Sequence, residues 1–307
     1  MQLQGKPNRA NAAFHGAAIG AAALVLLILA LVVVTMLGRM NPVLERMGLS
    51  FFTSRRWSPA DQLFGALPFL WGTLYTAVIA LVLAVPVSLG VALFVTQVAS
   101  PRVRKPLVYV LDLLAVVPSV VFGLWGVLVL ATPIQSLYVK IHHVVDGIPV
   151  LQSIFGASPQ GRSFMTAGVI LAIMIIPIIT SLAREVIDTT PTPEKEGAYG
   201  LGATRWEMIT AVVWPHSKAG IVGAVMLGLG RAMGETIAVA LVIGSSIGQI
   251  TSNAFAPGNS MPSVIANEWG EADELHKSAM IALALLLFVI TIAVNLVATA
   301  VVQRGKR

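Results

Sequence analysis

Arg231 and Glu235 are the residues whose types and spacing best fit chemistry, because both lie inside an apolar run at residues 219–243. If that run crosses a membrane, an arginine at its centre costs roughly 2.5–3.5 kcal/mol on insertion scales. A spacing of four places both side chains on one helix face. A guanidinium is a forked donor that suits oxyanions. The pattern predicts a pathway for an anion, and the alternative is an ion pair that locks helices together.

Two glycines flank this arginine. Gly230 and Gly234 form a G-x-x-x-G pattern, which permits two membrane helices to approach closely. We therefore predict a helix-packing role for both glycines. Arg231 lies about 12 residues into the apolar run, roughly 18 Å at 1.5 Å per residue, so we expect it near the middle of the membrane.

Other candidate chemistry is weak. Residues 156–163 nearly fit the nucleotide-binding pattern G-x-x-x-x-G-K-[ST], but Arg162 replaces the lysine and no buried strand precedes it. The chain has no cysteine, and no Ser–His–Asp grouping or metal-ligand cluster stands out. His142 and His143 are expected in a solvated loop, and Asp112 near the cytoplasmic end of a span. We expect no enzyme activity, and no cofactor or metal bound by this chain.

Composition sets the class of protein. The 307 residues are 56% hydrophobic and 11% charged, whereas a soluble domain carries about 25% charged residues. The sequence therefore predicts an integral membrane protein in contact with lipid. The net charge of +6 does not indicate nucleic acid, because basic residues collect in the cytoplasmic loops of membrane proteins.

Six apolar runs are long enough to cross a bilayer as helices. They lie at residues 17–37, 67–95, 107–131, 164–183, 219–243 and 278–302. We predict an all-α membrane domain over residues 17–303, with tails at 1–16 and 304–307 and loops at 38–66 and 132–163. Prolines within the second, third and fourth runs predict kinked helices that pack together.

Lysine and arginine predict the orientation. The segments on the side of the two termini hold 12 of these residues and the opposite segments hold 7. Because cytoplasmic loops are enriched in basic residues, we expect both termini, and the stretch at 184–218, in the cytoplasm. The acidic outer residues Glu268, Glu271, Asp273 and Glu274 are expected to form a solvated face, or a rim for an external partner.

The polar stretch between the fourth and fifth runs has the signals of two short helices. Thr192 is expected as an N-cap, with Pro193 as the first helical residue. Gly202 ends that helix, since glycine adopts positive φ at no steric cost. Thr204 and Glu207 form a capping box that starts a second helix, and Pro215 is expected to end it. Such a helix–turn–helix suggests a surface held by another protein, and an ordinary surface loop is the alternative.

This stretch resembles the EAA motif of bacterial ABC-importer permeases, in which E-A-A-x-x-x-G precedes I-x-L-P by nine residues. Here Glu196, Gly197, Ala198 and Gly202 are followed by Val212-Val213-Trp214-Pro215 at the same spacing. Gly197, Val212 and Trp214 depart from the motif. The resemblance implies a coupling helix at residues 190–216 that contacts an ATPase, with Ala203, Thr204, Arg205 and Glu207 in the contact region.

Residues 118–126, 201–207 and 230–239 are similar to the PstC family of phosphate-importer permeases. This resemblance implies the type I (MetI-like) importer fold in the bacterial inner membrane. It implies a second permease subunit like PstA, a dimeric ATPase like PstB that uses ATP and magnesium, and an external phosphate-binding protein like PstS. It also gives functional weight to Arg231 and Glu235. Sulfate or molybdate remain alternative substrates, and a secondary anion transporter or channel is an alternative class.

Overall fold

The computed structural model describes residues 9–156 and 159–304, which form helices and turns together with one isolated β-bridge between Ser58 and Leu63. Within these residues, six helices are long and apolar enough to cross a membrane: Ala13–Met47, Leu67–Val98, Ser119–Val145, Phe164–Asp188, Arg205–Gly234 and Glu274–Ala300. We call them the first to sixth spans. The predicted all-α architecture with six spans is confirmed. The two predicted tails lie partly outside the described residues.

The first span belongs to a helix that runs from Arg9 to Met47, so it begins before and ends after the predicted run. Residues 9–16 are therefore helical, and only part of the predicted 38–66 loop is irregular. Pro42 lies inside this helix. The neighbouring Val43 N–H donates to Ser278 Oγ in the sixth span at 3.2 Å. A side chain of a neighbouring helix thus accepts a hydrogen bond from the backbone N–H next to the proline. Membrane helices that contain proline require such partners for their backbone groups.

The predicted third span at 107–131 is divided between two helices. Its position in the bundle agrees with the contacts, because Arg104 pairs with Asp188 at one end of the fourth span and Gly126 lies against Ile170 near the other end. A separate helix, Pro101–Val116, comes first, and Pro118 then precedes a span that runs on through a π-helical segment, Gly126–Leu130, to Val145. The cause is Pro118, because a residue before proline avoids the helical region, and Val117 has an extended ψ of 127°. His142 therefore lies on a helix, with Nδ1 2.9 Å from the Phe155 carbonyl oxygen. We call Pro101–Val116 the surface helix, because none of its side chains is buried in the bundle.

The fourth span, Phe164–Asp188, is the centre of the bundle. Ser163 caps its start by accepting a hydrogen bond from the Thr166 N–H. Its buried side chains Ile175 and Ile179 lie against Gly228 of the fifth span, and Ile170 lies against Gly126. This packing holds the fifth span, which carries the candidate site, against the fourth span. The remaining helices are Ser50–Thr53, Pro149–Ile154, Thr192–Gly200, Ile237–Val242 and Met261–Glu268, with a 3₁₀ turn at Trp269–Glu271.

A buried polar cluster ties the segment after the first span to the start of the sixth. Glu268 Oε2 accepts from Trp57 Nε1 at 2.8 Å and lies 2.9 Å from His276 Nε2. Phe64 stacks on the imidazole with ring centroids 5.2 Å apart. Glu268 is therefore not part of a solvated acidic face, as the sequence had suggested. Trp57 lies 211 residues from Glu268 in the sequence and His276 lies 8 residues from it. The three side chains meet only in the folded chain.

Candidate transport site and coupling segment

The fifth span breaks at Glu235. Its helix ends at Gly234, Glu235 has an extended backbone with φ −73° and ψ 127°, and a short helix restarts at Ile237. The predicted continuous helix over 219–243 is therefore wrong. Arg231 lies in the last turn of a helix and not at its middle. Irregular backbone at membrane depth is tolerated where it is buried in protein or lines a cavity, so the break itself indicates a functional position.

Arg231 and Glu235 meet across this break. Arg231 Nη2 lies 3.9 Å from Glu235 Oε2, and the other carboxylate oxygen accepts from the Ala238 N–H at 3.3 Å. The Glu235 side chain is 6% exposed and that of Arg231 is 45% exposed. A ligand can therefore reach the guanidinium, while the carboxylate is held behind it as a counter-charge that also caps the short helix.

Arg231 lines a cleft of about 900 Å³ between the fourth, fifth and sixth spans. Glu185 of the fourth span, and Asn295 and Thr299 of the sixth, line the same cleft. These three residues were not predicted from the sequence. A polar side chain on an apolar helix was the available signal, but three spans that are distant in sequence had to be packed before they formed one site.

Gly230 and Gly234 do not bring two helices of this chain together. A Cβ atom at either position would meet no heavy atom within 4 Å, so the predicted packing role is wrong within this chain. The close approach comes from Gly228, where a Cβ would lie 2.7 Å from Ile179 Cδ1 in the fourth span. Gly230 instead lines the cleft beside Arg231.

The first helix of the coupling segment, Thr192–Gly200, carries Glu196, Gly197 and Ala198. Pro191, and not Thr192, occupies the N-cap position. At the other end, the Gly202 N–H donates to Tyr199 O at 2.9 Å and the Ala203 N–H to Ala198 O at 3.1 Å. With a φ of +84° at Gly202, these bonds form a Schellman motif. The predicted glycine turn is confirmed.

The second helix begins with the predicted capping box. The Thr204 side chain accepts from the Glu207 N–H, while Glu207 Oε2 accepts from the Thr204 N–H at 2.8 Å. Pro215, however, does not end this helix, which continues from Arg205 to Gly234. The turn before it, Ile209–Val213, is π-helical. This wider turn accommodates the missing N–H and the ring of the proline. The second helix of the coupling segment is therefore the beginning of the fifth span.

The coupling segment has one buried face and one exposed face. Met208, Ile209 and Val213 pack with Ala183 and Ile187 of the fourth span, and Ala198 contacts the same cluster. This packing links the segment mechanically to the bundle.

On the other side, Leu201 is 92% exposed and Trp206 is 68% exposed. Large apolar side chains that protrude from a polar turn are typical of a docking surface. These two residues were not predicted as contact residues from the sequence.

Two other sequence candidates have structural roles or surface positions. Asp112 is exposed on the surface helix and lines a pocket with Arg184 near the end of the fourth span. In the stretch that resembles a nucleotide-binding loop, Ser163 caps the fourth span, and a Cβ at Gly161 would collide with the Ala131 backbone carbonyl. Residues 157 and 158 lie outside the described residues.

The architecture and the EAA spacing agree with the comparison to known families. Residues 84–307 match the family described as "Binding-protein-dependent transport system inner membrane component". The chain belongs to this family. It is therefore a multi-pass membrane protein of ABC-importer permease type. The matched region holds the cleft and the coupling segment, while the first span lies before it.

Named relatives are similar over nearly the whole chain. The phosphate transport system permease protein PstC of Mesorhizobium japonicum is 42% identical over 96% of this chain and 90% of its own length. The protein of the same name from Haemophilus influenzae is 41% identical over 92% and 90%, and PstC 2 of Mycobacterium tuberculosis is 37% identical over 95% and 92%.

Solved structures show the same fold at low sequence identity. The MetNI methionine ABC transporter in an inward-facing conformation gives a TM-score of 0.58 at 14% identity, covering 79% of this chain and 96% of that chain. An ABC transporter that imports alginate gives 0.54 at 17% identity, covering 86% and 90%. The MetI-like type I importer fold is confirmed.

Proposed function

We propose that this chain is a permease subunit of an ATP-driven importer that carries inorganic phosphate into the cytoplasm. The observation that carries the proposal is the exposed guanidinium of Arg231, which faces a cleft between three spans at a break in the fifth. A forked cation at membrane depth offsets the desolvation of an oxyanion. The name of the relatives supports phosphate as that oxyanion.

The coupling segment supplies the link to an energy source. It presents Leu201 and Trp206 outward and packs its inner face on the fourth span. We infer that it inserts into a cleft of a partner ATPase dimer like PstB, which hydrolyses ATP with magnesium, so that movement of the ATPase tilts the fourth and fifth spans. A second permease subunit like PstA completes the pathway, and an external phosphate-binding protein like PstS delivers the anion.

The orientation belongs to the same proposal. Both termini and the coupling segment lie on the cytoplasmic side of the bacterial inner membrane, which is the side favoured by 12 basic residues against 7. An accessibility scan with a cysteine placed at position 205 tests this, since the chain has no native cysteine. Labelling of that cysteine by an impermeant reagent from outside the cell would contradict the orientation.

The direct test is uptake of labelled phosphate by cells that lack the chain and by the same cells supplied with it. We expect the chain to restore uptake, and an excess of unlabelled sulfate or molybdate to leave uptake unchanged. Competition by sulfate or molybdate would indicate that the substrate is another oxyanion. Co-purification of an ATPase subunit separates the proposal from a secondary transporter or channel, for which no such subunit is needed.

A further inference from the structure

The surface helix, Pro101–Val116, leaves one face unpartnered. It packs alongside the fourth span, beginning near Asp188, and none of its side chains is buried. Tyr109, Val110, Leu113 and Val116 are exposed on it, and their spacing places them on one side of a helix. Three basic residues, Arg102, Arg104 and Lys105, stand at its beginning. Basic residues at the end of an apolar helix face are typical of the depth of the lipid headgroups, because their charged ends reach the membrane interface.

A pocket of about 530 Å³ lies between this helix and the end of the fourth span. Its charged lining consists of Arg104, Lys105 and Arg184, with Asp112 as the single carboxylate. Arg104 is already paired, since its Nη2 lies 2.5 Å from Asp188 Oδ2. Among the residues that the structure describes, Lys105 and Arg184 form no ion pair. Two cations that have no ion-pair partner among the described residues therefore converge on the pocket.

We propose that this pocket binds the headgroup of an anionic phospholipid, with Lys105 and Arg184 contacting the phosphate. Basic pockets beside spanning helices bind such headgroups. Tyr109 lines the pocket and is 71% exposed, which suits an aromatic ring at headgroup depth. Leu113 and Val116 continue the apolar face along which acyl chains lie. Asp112 accepts a hydrogen bond from a headgroup hydroxyl, so a glycerol headgroup fits the pocket best.

The apolar face decides between a lipid and free phosphate. A site for free phosphate needs only the cations, whereas this pocket opens beside exposed apolar side chains that water solvates poorly. Arg184, which lines the pocket, lies four residues before the fourth span ends at Asp188. The coupling segment follows that end. A bound lipid would therefore hold the surface helix against the base of the segment that receives the ATPase.

The test uses the full-length chain, purified in a neutral detergent, and a phosphatidylglycerol that carries a fluorophore on one acyl chain. We expect saturable binding, competition by unlabelled phosphatidylglycerol, and none by phosphatidylcholine. A cation near an anionic headgroup contributes about fivefold in affinity, so Lys105→Gln with Arg184→Gln should weaken binding about 25-fold. Arg102→Gln is the matched control, because Arg102 is exposed on the same helix and does not line the pocket.

Three outcomes would overturn the proposal: absence of saturable binding, an equal loss in the control and the double variant, or competition by inorganic phosphate at millimolar concentration. The last result would assign the cations to a free anion. If the double variant does not give monodisperse protein, Lys105→Gln and Lys105→Arg replace it. A fivefold loss in the first and retained binding in the second would support the site, and equal binding in both would contradict it.

Discussion

The Nη2 atom of Arg231 lies 3.9 Å from Oε2 of Glu235, across the point where the helix of the fifth span ends. This separation exceeds that of a hydrogen bond, so the carboxylate attracts the guanidinium without occupying its donors. The donors stay available to a second oxyanion in the cleft. The pair is thus arranged to hold an arginine in place at membrane depth and to leave it able to bind.

Replacing Arg231 by glutamine should remove the anion site while leaving the fold intact, because its side chain is largely outside the core. A hydrogen bond to a charged group contributes about 1.5–3 kcal/mol, so we expect phosphate uptake to fall about 10- to 100-fold. Arg231→Lys should retain part of the activity, since it keeps the charge and loses the fork. Uptake assays, with co-purification of partner subunits as the measure of assembly, check this.

The control for Arg231 is Lys277→Gln, which removes a cation that is paired with an exposed glutamate at the beginning of the sixth span. It should leave uptake within twofold of the unchanged chain. Normal uptake by the Arg231→Gln variant would remove this residue from the pathway.

Glu235→Gln separates the charge of Glu235 from its hydrogen bond. The amide oxygen can still accept from the Ala238 N–H, but the counter-charge beside Arg231 is lost. We expect the anion to be held more tightly, so that the KM and the maximal rate of uptake both fall several-fold. A kinetic series over phosphate concentration distinguishes this from a purely structural role, which would lower the rate at unchanged KM. A raised KM would contradict the proposed restraint.

How far the sequence predicted this site depends on how local each signal is. Thr204, Glu207 and Gly202 were placed correctly because caps and positive-φ turns are decided by residues a few positions apart. The break at Glu235 was missed because no proline marks it, and the apolar composition continues through it. The division of the third span into two helices was missed for a different reason, since Pro118 was taken as a kink where the chain instead leaves the helix.

The cleft could not be predicted at all from local pattern. Glu185, Asn295 and Arg231 are on three spans, and their convergence depends on how those spans pack. The same holds for Trp57 and His276, which share an acceptor only in the folded chain. Sequence resemblance correctly predicted the fold and also predicts a coupling role, but it carried no information on these contacts.

Gly202→Ala should strain the turn of the coupling segment, because a side chain at φ +84° costs roughly 1–2 kcal/mol. Gly202→Pro should be more severe, since proline cannot adopt that φ and lacks the N–H that donates to Tyr199 O. We expect ATP hydrolysis by the assembled complex to continue while phosphate uptake falls several-fold. Parallel assays of both activities in reconstituted vesicles measure the loss of coupling.

A matched control for this turn is Gly200→Ala. Gly200 is the last residue of the preceding helix, and a Cβ there would meet no heavy atom within 4 Å. Alanine should raise helix stability by about 0.5–1 kcal/mol and leave coupling intact. If both alanine variants lose coupling equally, then the conformation at Gly202 is not the cause.

Glu268→Ala should loosen the segment after the first span. It leaves the Trp57 indole N–H and the buried His276 without their shared acceptor. An unsatisfied buried polar group costs about 1–3 kcal/mol, so we expect a lower melting temperature in detergent and faster proteolysis near residue 57. Glu271→Ala, at an exposed position in the same loop, should change neither. Equal melting temperatures for the two variants would show that the cluster does not hold this segment.

Gly123→Ala should disturb the site indirectly, by displacing the short helix Ile237–Val242. A Cβ at Gly123 would lie 2.8 Å from the Cα atom of Ala238, and backbone at that distance must move. Ala238 donates its N–H to Glu235, so a displaced short helix moves the carboxylate that faces Arg231. Overpacking of this kind costs about 1–3 kcal/mol, and we expect a lower melting temperature together with roughly tenfold slower phosphate uptake.

Gly90→Ala is the control for that substitution, because a Cβ at Gly90 would meet no heavy atom within 4 Å and alanine favours the helix. The informative measurement is uptake by Gly123→Ala at a temperature well below its melting point, where loss of folded protein no longer contributes. A persistent loss there, with Gly90→Ala unchanged, shows that the position of the short helix sets the position of Glu235. Full recovery on cooling would mean that Gly123 serves stability alone.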